Sequence, residues 1–291
     1  SDNPLFFTWW SHRHLSYLNH VGKYPNDIIF DHNQIQGDKI MDKLSILNIG
    51  GHPKDAIMYA GGTMANHIAN GDKVCTLTPT HGLATYEKAK NSYTETGEFN
   101  LLALIDQRKT EFVDAARELG VTDMRFLGHD DTIPLPDKEI IQEIIDVILD
   151  VKPDIVITHW PQDTVSAHSN ATHMTLLAIE SASSAQKDPT KKPHSVKQIF
   201  FHSHPGHTNI RQNSRPPTPS VIIDITDVIH LKTNAMNKFK SQYYGGDGSL
   251  QRKLGEVLDG SLHAIHARVP YAEPFIADLP SLYSLLPLSE Y

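Results

Sequence analysis

The stretch from Leu44 to Asp55 is where residue types and spacing come closest to chemistry: an apolar run ends in Gly50 and Gly51 and is followed by His52, Pro53, Lys54 and Asp55. Imidazole nitrogen and carboxylate oxygen are both metal ligands, and a three-residue spacing lets a turn aim both at one ion. Taken alone, the same residues also read as a solvated polar turn. A second polar cluster follows the apolar run 154–159, with His159, Asp163 and His168 within ten residues. His168, at the start of the next helix, can complete a facial set with His52 and Asp55. Three protein ligands with one position left for water make a hydrolytic site, because the ion brings the water's pKa to ~7 and polarises a carbonyl. One such site uses only a few of the 18 histidines. His12, His14 and His20 in an aromatic leader, and His263 and His266 near the C-terminus, are therefore read as packing or surface residues.

The elements that must carry these residues alternate between strand and helix from Leu44 onward, the pattern of a mostly parallel sheet covered on both faces. Strands are expected at about 44–50, 74–79, 124–127, 154–159, 195–204 and 221–225, with Pro79 ending the second. Helices are expected over 61–71, 101–119, from the Asp137 cap to Lys152, over 167–181 and over 227–243. The polar segment 81–100 reads as a lid over the strand ends, and 211–220 as an exposed loop. The prediction is an α/β, Rossmann-like three-layer fold of five to seven strands over residues 44–291, preceded by an N-terminal arm, 1–43, that could wrap a neighbouring subunit. Ligands in such sheets gather outside the carboxyl ends of the strands, where both polar clusters fall.

Composition narrows the partners. Hydrophobic residues make up 39% and charged residues 21%, and the net charge is −8 without a long basic block. That argues against nucleic acid, and the absence of a long uninterrupted apolar run argues against a membrane-spanning helix. A small molecule is the expected partner, with a homo-oligomer possible through the leader. Cys75 is the one cysteine and reads as a core residue. A cytoplasmic setting is the expectation, although a chain that opens at Ser1 leaves a processed N-terminus open. Gly61-Gly62 does not follow a strand directly and lacks phosphate-loop spacing, which disfavours a nucleotide-binding module.

The motifs His52-Pro53-Lys54-Asp55, Gly61-Gly62-Thr63-Met64, Arg108 with Glu111, Leu127 to Asp131, Asp163 to His168 and Lys240-Ser241-Gln242 occur in that order. In this order and spacing the chain resembles the LmbE-like or PIG-L family of zinc-dependent N-acetyl-sugar deacetylases over about residues 44–275. The resemblance implies a zinc ion on His52, Asp55 and His168, and a substrate that is an N-acylated sugar or related amide. It associates Arg108 and Asp131 with sugar binding, where a solvated helix face and a turn cap are the plain alternatives.

The departures from the family pattern matter equally. Lys54 stands where the family has its general-base aspartate, and a protonated lysine cannot accept a proton unless its surroundings favour the neutral amine. Val165 and Ala167 replace a histidine and an aspartate expected to orient the ligand and stabilise the oxyanion. Proton transfer would then fall to Lys54 itself or to Asp163, His159, His129 or His204, each near a strand end; His129 and His204 are equally candidates for substrate contact. Two functions stay open on these residues: a metal-dependent hydrolase that removes an acyl group, and a metal-bearing homologue that binds a carbohydrate or amide without turnover.

Overall fold

The computed structural model describes residues 43–83, 101–131, 135–184, 188–203, 218–242, 244, 264–265, 267–285 and 287–289. The leader, most of the proposed lid, His12, His14, His20, His204, His263, His266 and most of the 211–220 loop lie outside these residues.

Seven strands among the described residues form one sheet. They are β1 (Ser45–Ile49), β2 (Lys73–Thr80), β3 (Asp123–His129), β4 (Ile155–Thr158), β5 (Gln198–His202), β6 (Val221–Asp224) and β7 (Ala272–Ala277), in the order β3-β2-β1-β4-β5-β7-β6. β1 to β5 are mutually parallel, and β7 pairs antiparallel with both β5 and β6. The order reverses between β1 and β4, so a crevice opens beyond their carboxyl ends.

Alternate residues of each strand point to opposite faces, and this produces two cores. Ile46, Val74 and Ile157 join a cluster with α1 (Asp55–Ala69), α2 (Leu101–Glu118) and α5 (Ile229–Met236). Leu47, Cys75 and Val156 join the other, beneath α3 (Lys138–Val151) and α4 (Ser166–Ser183). α3 shows why the sequence folds this way. The Asp137 side chain caps the N–H groups of Glu139 and Ile140, and Ile140, Ile144, Ile145 and Ile148 share the buried side. No helix of the described residues is long and apolar enough to cross a membrane.

Several expectations are corrected. Pro79 does not end β2: the strand runs to Thr80, and its register with β3 shifts between Thr78 and Thr80, so the proline occupies an irregularity where no ladder N–H is needed. The first helix begins at Asp55 instead of 61 and contains a break at Ala60 (φ −140°, ψ 22°). The late helix is split, with 3-10 turns at Thr226–Val228 and Lys240–Gln242 flanking the short α5. β7 was not anticipated, because a strand reading Ala-Glu-Pro-Phe-Ile-Ala has neither alternation nor a clean apolar run.

The break in α1 explains β7's glutamate. Leaving helical geometry at Ala60 frees the N–H groups of Gly62 and Thr63, which donate to Glu273 Oε1 and Oε2 at 2.9 and 2.7 Å. Lys232 Nζ pairs with the same carboxylate at 2.7 Å. Gly62 is required here by close approach, since a Cβ would lie 2.6 Å from Ile225 Cβ. The pinned break sets the direction of the first half of α1, which begins with Asp55.

Candidate metal centre

β1 delivers its chain end directly into a tight turn. Asp55 N donates to His52 O, and His52 N donates to Asp55 Oδ2 at 2.8 Å, so histidine and aspartate lock each other as α1 starts. A carboxylate in the first helical turn is also favoured by the helix dipole. β4 ends one strand away, and its loop turns into α4 through Asp163, whose Oδ1 accepts from Val165 N. Gly51 lets the two loops meet: a Cβ there would lie 3.2 Å from Ala167 O and 3.3 Å from His168 Cδ2.

The result is a triangle of ligand atoms. His52 Nδ1 lies 3.0 Å from Asp55 Oδ2, His168 Nε2 lies 3.1 Å from the same oxygen, and the two nitrogens are 3.2 Å apart. A tetrahedral ion with bonds of about 2.0–2.2 Å needs ligand atoms separated by roughly 3.3–3.6 Å, so a small outward shift of these side chains would fit the triangle to a divalent cation. All three side chains are buried. Two imidazole nitrogens facing each other have room for one proton between them, and a cation resolves the crowding of acceptors.

Each histidine is backed by a carboxylate on its other nitrogen. Asp163 Oδ2 lies 3.0 Å from His168 Nδ1, and Asp131 Oδ2 lies 3.3 Å from His52 Nε2. This is the arrangement that fixes ring orientation and tautomer in metal-ligating histidines. The orientation expected to be lost with Ala167 is thus supplied by Asp163, five residues before His168.

The charges follow from this packing. Burial alone would raise the Asp55 pKa, but Lys54, His168 and His52 outweigh it and hold the carboxyl well below its ordinary range. Burial would lower His52, yet Asp55 and Asp131 push it up to about 9. For His168 burial is likewise overcome, by Asp55 and Asp163, and its pKa is raised. The His52 ring is therefore protonated at neutral pH in the metal-free chain. Loading zinc at pH 7 should release about one proton from His52, read as the dependence of calorimetric enthalpy on the buffer's ionisation heat. Affinity should rise with pH up to about 9, as proton competition for His52 fades; binding without linked protons would refute this charge state.

The other residues named from sequence fall around the triangle in different ways. Lys54 Nζ donates to Asp55 Oδ1 at 3.0 Å. His159 stacks on His168 (centroids 4.0 Å, 12°), and its Nε2 accepts from Gly51 N at 2.8 Å. Burial, with His168 adding to it against Asp55, holds the His159 pKa well below its ordinary value. Asp131 also accepts from Leu83 N and faces His81 Nδ1 at 3.3 Å. Arg108 is buried and donates from Nη1 to Gly82 O. His129 turns to Glu143 of α3, 2.6 Å from its Nε2. His81, which forms a second cluster with Asp130 and Asp131, was not singled out from the sequence, and neither was His202. His202 ends β5 beside Tyr59 and His159. A histidine terminating a strand was the available signal, and sequence reasoning spent it on His204.

Residues 47–179 match the family described as PIG-L: GlcNAc-PI de-N-acetylase. Among curated relatives, the chain is 27% identical over 211 residues to diacetylchitobiose deacetylase of Thermococcus kodakarensis, covering 69% of this chain and 71% of that one. It is 26% identical over 201 residues to the probable N-acetyl-alpha-D-glucosaminyl L-malate deacetylase 2 of Bacillus cereus, covering 68% and 83%. Among solved structures, GalB, the 4-carboxy-2-hydroxymuconate hydratase of Pseudomonas putida KT2440, shares the fold, with a TM-score of 0.70 at 22% identity over 84% of this chain and 100% of that one. The segment that matches the PIG-L family runs from β1 into α4 and so contains His52, Asp55, Asp131, Asp163 and His168.

Proposed function

We propose that this chain is a zinc-dependent amidohydrolase on a Rossmann-like scaffold that removes an acyl group, an acetyl in the first instance, from an N-acylated sugar. The supporting observation is the buried triangle of His52, Asp55 and His168 at the β1/β4 crevice, with a carboxylate behind each imidazole. Fold alone does not select a reaction, and the GalB match illustrates this. The substrate class rests on the two curated relatives, both named as deacetylases of N-acetylated sugars.

When bound, zinc would supply water of pKa ~7 and polarise the acyl carbonyl. His52, Asp55 and His168 would hold the ion, with Asp131 and Asp163 as positioning residues for the two rings. Lys54 is assigned two tasks. Its ammonium balances the buried Asp55 charge, and it donates a proton to the departing amine. His159 keeps the Gly51 turn in place through the Gly51 N–H and backs the His168 ring.

Zinc-loaded protein should release acetate from N,N′-diacetylchitobiose or N-acetylglucosamine, and the metal-free protein should not. Zinc and sugar binding without acetate release would favour the non-hydrolytic alternative, and failure to bind zinc would end both. Lys54→Met should keep zinc and lower kcat about 10²-fold, the usual scale of a lost proton donor. A rise in kcat in Lys54→Asp with no fall in Lys54→Met would show that lysine restrains the site.

A further inference from the structure

A row of rings leads away from the metal triangle. His52 meets His168 edge-on (centroids 5.0 Å), His168 stacks on His159 (4.0 Å), and His159 meets His202 edge-on (5.2 Å, 89°). His202 closes the row at the carboxyl end of β5, against Tyr59 (5.1 Å, 33°) and Phe275 of β7 (6.2 Å). It is 4% exposed, and neither of its ring nitrogens has a hydrogen-bond partner among the described residues. The other three histidines of the row have polar partners: His52 with Asp55, His168 with Asp163 and His159 with the Gly51 N–H. Buried polar groups in native proteins are almost always paired, and an exception calls for a missing partner.

We infer that His202 is a substrate-contacting residue of the proposed deacetylase site, its two ring nitrogens, one donor and one acceptor pointing to opposite sides of the ring, each taking a separate hydroxyl of the sugar. A hydroxyl both donates and accepts, and this matches an uncharged imidazole better than an anion or an ammonium would. The ring is uncharged here: burial, opposed by Asp55 and reinforced by His168 and Lys232, holds its pKa at about 3. Its place one strand beyond His159 fits a contact to the sugar instead of to the reacting carbonyl. The inference rests on the amidohydrolase reading.

The test compares wild type, His202→Phe and His202→Gln as full chains loaded with zinc, with N,N′-diacetylchitobiose as the probe. His202→Phe keeps the ring contacts and removes both nitrogens; its melting temperature should equal or exceed that of wild type, because no hydrogen bond is lost. Its zinc affinity should be unchanged, and KM for the probe should rise at least about tenfold with kcat much less affected. His202→Gln, which retains a donor and an acceptor, should recover part of the KM. A lower melting temperature in His202→Phe overturns the inference in favour of a structural role. An unchanged KM beside an active wild type overturns it as well, and leaves the amidohydrolase reading intact. A wild type that binds zinc but neither binds nor cleaves the probe overturns that reading, and this inference with it.

Discussion

Asp55→Ala should lose zinc and acetate release together, by more than the about 10–100-fold that removal of an outer-sphere partner costs. Asp55 is completely buried, and its Oδ2 meets His52 Nδ1, His168 Nε2 and the His52 N–H at once. Alanine removes a ligand and strands Lys54 beside two imidazoles whose pKa values the carboxylate raised. His168→Ala separates the two effects, because it deletes a ligand without leaving an excess of buried positive charge. Both variants should fail to retain stoichiometric zinc in calorimetry or elemental analysis. Asp163→Asn, which perturbs only the far side of the His168 ring, should weaken zinc about 10–100-fold and still saturate. If Asp55→Ala held zinc as tightly as wild type, the triangle would not be the metal site.

The second large effect concerns stability. Glu273→Ala should destabilise the chain by about 3–5 kcal/mol, the cost of leaving one member of a buried ion pair alone. Glu273 and Lys232 are both almost fully buried, and the carboxylate also holds the Gly62 and Thr63 N–H groups at the break in α1. The alanine variant leaves an ammonium and two backbone donors without an acceptor. At 2–4 °C per kcal/mol for a domain of this size, the melting temperature should fall by roughly 10 °C. Glu273→Gln keeps one acceptor oxygen for the helix break and should fall less. Equal midpoints for wild type and Glu273→Ala would mean that the α1 break is held by other contacts. The site should register the loss too, since the first half of α1 carries Asp55, and weaker zinc binding in Glu273→Ala would show that coupling.

Much of this organisation was legible because strand ends carry their own signature. The apolar runs closing at His52 and at His159 both lie at carboxyl ends of parallel strands. Asp137 was readable as a cap and α3 as amphipathic, since these are local patterns. Nothing local marked β7. Its glutamate sits in a strand only because an α1 break some 210 residues away in sequence demands an acceptor. The roles of the polar residues divided in the same way. Asp131 suggested sugar contact, while its carboxylate lies against His52 and His81. His129 suggested proton transfer or substrate contact, while Glu143 claims its ring. These side-chain partners come from other elements, and sequence spacing carries no record of them.

The residue types and short spacings thus determined which atoms were available: an imidazole and a carboxylate three positions apart, an imidazole at a helix start, and a carboxylate five residues before it. Whether they meet was settled only in three dimensions. His52 and His168 are 116 residues apart, and they face each other because β4 lies beside β1 while β2, next in the chain, lies on β1's other side. That reversal of strand order opens the crevice, and the absence of a side chain at Gly51 lets the loops of β1 and β4 close on it. Hydrophobic alternation drives the strands into a sheet, but their neighbours are selected by how the helices cover its two faces, which is a property of the whole chain.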